Sequence, residues 1–154
     1  MRKLGGFILF LIIGSTFWMV LTTINVPKPG EVEEISRQAF KLINQERQQK
    51  GISQLIWDGH LEDLAAEHSN YIAETGDFTH SDYGYAENIA EGGCSSGREL
   101  YELWRDSPLH HSNMVNGTYG YGAVAIGYEL TTWHIGNFNI TVNIGKFYAT
   151  FLAK

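Results

Sequence analysis

Two histidines and one glutamate stand in three separate polar segments of an otherwise apolar region of the chain, at His80, Glu87 and His110. Metal and acid–base sites collect their groups from separate segments, because the groups must approach one point from several directions. Two neutral imidazoles suit Zn²⁺ or a similar divalent cation, and Glu87 would either complete the ligand set or accept a ring N–H. The alternative is a hydrogen-bonded core cluster that positions loops and holds no ligand.

Polar and aromatic neighbours in the same segments are expected to line this cavity: Asn88, Trp104, Asp106 and Ser107. A His–Glu pair can act as general base and orienting group, and a metal-bound water can act as nucleophile. A metal-assisted hydrolase of peptide or envelope material is therefore one candidate function, and its catalytic residues would be the same two histidines and glutamate. No His-Glu-x-x-His helix accompanies them, and we commit to no nucleophile, which favours a non-enzymatic binding module.

The domain that carries these residues begins with a segment of helical periodicity. An apolar stripe from Ile35 to Ile43 predicts a first helix that stops at Gly51. Asp58 is a good N-cap for a second helix, which Gly76 ends.

Histidines on the helices are open to a plainer interpretation than metal binding. His68 lies on the apolar stripe of the second helix, where a single histidine is more often a hydrogen-bonded core residue than a ligand. A third helix starts at a capping box made by Ser96 and Glu99 and stops at Pro108. His111 is expected to be a helix-end residue outside the cavity.

After the helices the apolar period changes from about 3.6 to 2, which indicates strands. Three runs alternate in this way or are rich in β-forming residues, at 124–128, 140–144 and 147–152. Helices first and strands last are typical of an α+β domain in which helices pack on an antiparallel sheet.

The N-terminal segment has the character of a membrane anchor. No charged residue occurs from Leu4 to Val26, and a helix of that length can cross roughly 30 Å of hydrocarbon. Arg2 and Lys3 precede it, which favours a cytoplasmic N-terminus and an external C-terminal domain. A cleaved signal peptide is the alternative, but the apolar run is long and no Ala-x-Ala site follows it. The predicted divisions are a cytoplasmic tip (1–3), a transmembrane signal anchor (4–26), a proline-containing linker (27–33) and the external domain (34–154).

The charge of the external domain excludes nucleic acid as a partner. The chain holds 11 lysines and arginines and 17 acidic residues, and three of the basic residues but none of the acids precede Glu31. The remainder therefore has 8 basic and 17 acidic residues, a net charge of −9, which is the wrong sign for neutralising phosphates. Cys94 is the only cysteine, so no intramolecular disulfide can form, and its Gly and Ser neighbours predict a loop.

Six short segments, in this order, resemble those of the CAP superfamily, also called SCP/TAPS, in its small prokaryotic form. They cover about residues 34–153: Leu42–Arg47, Leu55–Asp58, Phe78–Asp82, Ala86–Ala90, Trp104–His110 with its continuation to Asn116, and Val124–Tyr128. Each segment is a weak signal by itself, and the six in order are a strong one. Ala86 and Leu109 replace glycines of the family motifs.

The resemblance implies a three-layer α–β–α sandwich with a central antiparallel sheet, whose cavity carries His80, Glu87 and His110. Many eukaryotic members have a second glutamate three residues after the motif tryptophan, where this chain has Ser107. No common reaction defines the superfamily. We therefore expect a single-pass protein of the cell membrane whose extracellular domain binds an unknown ligand or protein, with zinc or another divalent cation as the expected cofactor. Binding of a lipid in an apolar groove is neither supported nor excluded.

Overall fold

A computed structural model describes residues 9–13, 16–20, 29–93, 95–135 and 138–154. Cys94 lies outside the described residues, so its predicted loop position stays a prediction. The elements follow in chain order: β1 (Leu9–Ile13), β2 (Thr16–Val20), α1 (Pro29–Gln49), β3 (Ile56–Trp57), α2 (Gly59–Thr75), β4 (Ala86–Gly92), α3 (Gly97–Arg105), α4 (Pro108–Met114), β5 (Tyr121–Ile135) and β6 (Phe138–Ala153).

Helices and strands combine as the predicted α+β class requires, but the main sheet is mixed and not antiparallel. Its strand order is β3-β5-β6-β4, and β5 and β4 both pair antiparallel with β6. β3 pairs parallel with β5, which corrects the prediction. A two-residue strand is too short to show a period of 2, and the three helices between β3 and β5 permit the long crossover that a parallel pair needs.

Alternating residues of β5 and β6 face helices on opposite sides of the sheet. Val124 and Phe151 pack in one core with residues of α1, α3 and α4. Their neighbours Ala123 and Leu152 pack against α2. Since successive strand residues point to opposite faces, the sheet is covered on both sides and the domain has the expected layered order.

Local signals in the sequence placed the helix ends well. Asp58 caps α2, accepting a hydrogen bond from the Leu61 N–H at 3.0 Å, and Gly76 ends it with φ of 73°. Ser96 caps α3 as predicted. Residues 29–33, which the sequence assigned to an extended linker, form the first turn of α1, because proline is well tolerated at the start of a helix.

The strand β4, which carries Glu87 and Asn88, was not recognised as a strand in the sequence. Its residues Ala86–Gly92 contain no clear alternation of apolar and polar types. Conversely, the runs predicted at 140–144 and 147–152 are parts of one strand, β6. Pro108, where the sequence predicts that the third helix stops, is the first residue of a further helix, α4.

The N-terminal segment does not show the predicted transmembrane helix. Within residues 4–26, the described residues form the antiparallel pair β1 and β2, and the rest of that range lies outside the described residues. The segment is rich in aromatic and β-branched residues, which suit a strand as well as an apolar helix. Among the described residues, no helix is both long enough and apolar enough to cross a membrane.

Arg47 is completely buried at the end of α1 and joins three parts of the chain. Its guanidinium donates hydrogen bonds of 2.8–2.9 Å to four backbone carbonyls, those of Ser53, Met114, Asn116 and Tyr119. A buried charge is tolerated only when its donors are satisfied, and these carbonyls supply that. Arg47 therefore fixes the turn after α1 and the segment between α4 and β5 relative to each other.

Replacing Arg47 with methionine is expected to lower the free energy of unfolding by about 3 kcal/mol or more, because several buried carbonyls lose their donor at about 1–3 kcal/mol each. Chemical unfolding of the full chain in detergent measures this. Lys41→Met, at an exposed position of the same helix, is the matched control and should change the free energy by less than about 0.5 kcal/mol. Equal losses in the two variants would contradict the role of Arg47.

Candidate functional site

Glu87 is a buried carboxylate on β4, the edge strand of the main sheet. Its Oε1 lies 2.5 Å from His80 Nδ1 and 3.1 Å from the Ser81 backbone nitrogen. The Ser81 hydroxyl donates a short hydrogen bond to Oε2. A buried carboxylate needs such donors, and these contacts tie the loop that carries His80 and Ser81 to β4.

His80 presents its other ring nitrogen away from the carboxylate. Its side chain is 60% exposed, whereas that of Glu87 is 6% exposed. A carboxylate accepts hydrogen bonds, so the contact requires a hydrogen on Nδ1 of His80. In the neutral imidazole this leaves the lone pair on Nε2, which makes no hydrogen bond to the described residues.

His68 of α2 is the hydrogen-bonded core histidine that the sequence predicted. It is buried, and its Nε2 donates to the Thr79 carbonyl at 2.9 Å. The same nitrogen lies 3.8 Å from Glu87 Oε1, a proximity that the sequence did not reveal. His68 therefore holds Thr79, the residue before His80, and lies buried beside the carboxylate of Glu87.

His110 is joined to β4 through its backbone and not through its ring. Asn88, which is fully buried, donates to the His110 carbonyl at 2.9 Å and accepts from Asn113 at the same distance. Asn113 also donates to the Glu87 carbonyl at 3.2 Å. These amide bonds place α4 beside β4 and bring His110 to the neighbourhood of His80.

Burial and the positive charge of nearby His80 both lower the pKa of His110. The neutral imidazole is thereby favoured, and only the neutral form can bind a metal or accept a proton. His80 and His110 are therefore close enough to interact electrostatically, and the cavity that the sequence predicts for them stays a prediction.

Glu87 is a hydrogen-bond partner of His80 in this structure. No three His, Cys, Asp or Glu side chains among the described residues gather as a metal-binding group. Glu87 instead accepts the ring N–H of His80, which is how a carboxylate orients a metal-binding histidine from behind.

Three residues that the sequence assigned to the cavity lie elsewhere. Trp104 is completely buried in the core, with its ring centroid 6.0 Å from that of Phe151. Asp106 and Ser107 line a cavity of about 450 Å³ on the outer side of α3, together with Leu103, Glu102, Glu99 and Gly93. Asp106 is also bound by Arg105 at 2.9 Å. Of the four predicted cavity residues, only Asn88 contacts the site.

Sequence reasoning missed a second histidine–carboxylate contact. His111 Nε2 lies 2.8 Å from Glu46 Oε1, and the Tyr101 hydroxyl donates to Glu46 Oε2 at 2.9 Å. Burial raises the pKa of Glu46, but the hydrogen bonds from His111 and Tyr101 and the charge of Lys50 outweigh it, so the pKa lies below its usual value. His111 ties α4 to α1 and is not a cavity residue.

Residues 93–97 have the spacing Gly-x-Ser-x-Gly between a strand and a helix, a pattern that can present a nucleophilic serine. Here the hydroxyl of Ser95 donates to the carboxylate of Glu99 at about 3.1 Å, as does its backbone N–H at 2.8 Å. A serine activated for attack would instead bond to a histidine. The contacts of Ser95 therefore stabilise the first turn of α3 through Glu99 and do not pair the hydroxyl with a histidine.

The model of the CAP family, the cysteine-rich secretory protein family, matches residues 40–141. That is more than half of the chain, and the chain belongs to the CAP family. No curated protein matches it in sequence.

Solved structures share the fold at low sequence identity. MpPR-1i is 13% identical with a TM-score of 0.57, covering 82% of this chain and 89% of its own. An extracellular protein of Bacillus anthracis that contains an SCP domain is 18% identical with a TM-score of 0.56, covering 90% of this chain and 47% of its own. A cysteine-rich secretory protein of Staphylococcus aureus is 15% identical with a TM-score of 0.53, covering 90% and 46%. These likenesses confirm the fold.

The lowered pKa of His110 predicts how stability depends on pH. The unfolded chain binds this proton more readily, near pH 6.5, so the free energy of unfolding rises with pH from the folded pKa to about 6.5 and is lost as the pH falls through that interval. Chemical unfolding of the full chain and of His110→Ala across this range measures the effect. The stability advantage of the native chain over the variant should shrink at the lower pH, and a difference independent of pH would contradict the assignment.

Proposed function

We propose that this chain is a membrane-anchored extracellular CAP domain that works as a non-enzymatic binding module, with His80 and His110 as its ligand contacts. The observation that carries the proposal is the fixed orientation of His80, whose Nδ1 is held by buried Glu87 while its side chain is 60% exposed. An imidazole held in one tautomer at the surface is prepared to bind a ligand or a metal ion through Nε2.

The anchoring part of the proposal is supported by the uncharged sequence from Leu4 to Val26 and by the basic residues before it. The external position of the domain follows from the same charge distribution. The partners that we propose are the membrane, through the N-terminal segment, and an extracellular ligand or protein at the site.

Zinc or another divalent cation is proposed as a weakly held ligand of the two histidines. Titration of the full chain in detergent with Zn²⁺, followed by calorimetry, should detect one site that weakens as the pH falls, because protonated imidazole does not bind metal. The double variant His80→Ala/His110→Ala should lose this site.

Glu87→Gln separates the orienting role from direct binding. It should keep the zinc stoichiometry and weaken the affinity by about 10–100-fold, because the ligands remain and only their orienting carboxylate is lost. His60→Ala, at an exposed histidine at the start of α2, is the control and should change nothing. Unchanged stoichiometry in the double histidine variant would assign the metal to other residues.

The variant His110→Ala can test the hydrolase alternative only if it keeps its fold. Because Asn88 bonds to the backbone carbonyl of His110, the variant keeps this link, and we expect its stability to change by about 1 kcal/mol or less. Asn88→Ala, which loses both amide bonds, should cost about 1–3 kcal/mol.

Peptide and envelope substrates incubated with the native chain and with both variants test for turnover directly. A binding module should give no hydrolysis that depends on His110. Turnover by the native chain that disappears in His110→Ala at an unchanged melting temperature would overturn the binding module and establish the hydrolase.

A further inference from the structure

The sequence contains one Asn-Gly pair, Asn116-Gly117, and it lies in the segment between α4 and β5. Asparagine is a thermolabile residue, because the backbone nitrogen that follows it can attack its side-chain amide carbon. Glycine in the following position hinders this attack least, since it has no Cβ. Gly117 is exposed and Asn116 is half-buried, so water can reach the pair.

The side chain of Asn116 is folded back over Gly117. Its Oδ1 accepts hydrogen bonds from the Thr118 backbone N–H at 2.9 Å and from the Thr118 hydroxyl at 2.7 Å. The ring closed by the first of these bonds includes both Asn116 Cγ and the Gly117 nitrogen. The turn therefore holds the two atoms that would react in one compact ring, and the Gly117 N–H makes no hydrogen bond to the described residues.

The two donors of Thr118 also suit the charge that such a reaction develops. When the Gly117 nitrogen adds to Cγ of Asn116, the amide oxygen Oδ1 becomes an oxyanion. Donors that already point at this oxygen stabilise the intermediate without any reorganisation of the protein. Thr118 supplies one donor from its backbone and one from its side chain.

Arg47 places a buried positive charge at the backbone carbonyl of Asn116. Its Nη1 donates to that oxygen at 2.8 Å, and the residue is completely buried. In the part of the chain that the structure describes, the hydrogen-bond partners of Arg47 are neutral carbonyls and not carboxylates. Burial lowers the pKa of this guanidinium accordingly. A new negative charge beside a buried cation of this kind is strongly stabilised.

We propose that Asn116 is a site of spontaneous deamidation, which Arg47 and Thr118 promote and which water completes. Hydroxide removes the Gly117 amide proton, and a bond forms between this nitrogen and Asn116 Cγ. The bond from Cγ to the side-chain nitrogen then breaks, and this nitrogen takes a proton from water and leaves as ammonia. Water opens the cyclic imide at one of its two carbonyls and leaves a carboxylate and a released proton.

The two possible products differ in where they place the carboxylate. Opening at Cγ gives aspartate, and opening at the backbone carbonyl gives isoaspartate, in which the chain continues through the side-chain carbon. In isoaspartate the former backbone carbonyl becomes the carboxylate, so the hydrogen bond from Arg47 becomes an ion pair. Because Arg47 also polarises this carbonyl, we expect isoaspartate to be the main product.

Peptide mapping of the full chain, incubated in detergent at neutral pH, tests the proposal. Mass spectrometry follows the conversion of Asn116, and electron-transfer fragmentation distinguishes isoaspartate from aspartate. Asn70 in α2 and Asn113 in α4 are internal controls in the same digest, because large residues follow them in a helix. A parallel sample in guanidinium chloride keeps the sequence but loses the contacts of Arg47 and Thr118.

We expect Asn116 to be converted several-fold faster in the folded chain than in the unfolded chain, with isoaspartate in excess and both control residues unchanged in the folded chain. Thr118→Val keeps the backbone donor but removes the hydroxyl, so it should slow the conversion several-fold. Gly117→Ala should nearly abolish it. The structure accommodates this alanine, because its Cβ would meet only Ile52, at 3.9 Å. Circular dichroism checks that both variants are folded.

Three results would overturn the proposal in different parts. Conversion in the folded chain that is no faster than in guanidinium chloride would show that the fold does not promote the reaction. Equal rates in the native chain and in Thr118→Val would exclude the hydroxyl as an oxyanion donor. Aspartate as the main product would contradict the part assigned to Arg47. None of these results depends on the membrane anchor or on the zinc titration of the two histidines.

Discussion

The buried carboxylate of Glu87 is the constraint on which the site depends. Burying an ionised carboxylate costs free energy unless hydrogen-bond donors surround it. For Glu87 those donors are His80 and Ser81, which lie in a loop without helix or strand structure. The hydrogen bonds to Glu87 and the packing of Tyr83 and Tyr85 against the core together hold this loop in place. The same bond that satisfies Glu87 sets the tautomer of His80, so a requirement of folding also prepares the exposed imidazole.

The neighbouring residue on β4 performs the complementary task on the other face of the sheet. Because successive strand residues alternate, Glu87 and Asn88 point in opposite directions, the first toward α2 and the second toward α4. Asn88 uses its amide to hold the backbone of α4, and through it His110. An edge strand is suited to this role, since groups from both faces can meet around its free side.

Two polar side chains of α1, buried Arg47 and half-buried Glu46, stabilise the remainder of the framework around the site. Arg47 binds four carbonyls and fixes the segment that follows α4, and Glu46 binds His111 within α4. α4 is therefore held on one side by β4 and on the other by α1. The position of His110 is therefore set by contacts of its own carbonyl and of its neighbours in α4.

Local chemistry in the sequence determined the helix ends, the α+β class and the family. The caps Asp58, Gly76 and Ser96 bond to residues only a few positions away in the chain. Their effect on the helix ends can therefore be predicted from the sequence without knowledge of the fold. Tertiary structure decided what depends on distant partners: that β3 runs parallel to β5, that Trp104 is buried in the core, that Asp106 lines a separate cavity beside α3, and that Glu87 accepts a hydrogen bond from His80. Those outcomes follow from which groups pack together and lose water, and segments far apart in the sequence are brought into such contact only by folding.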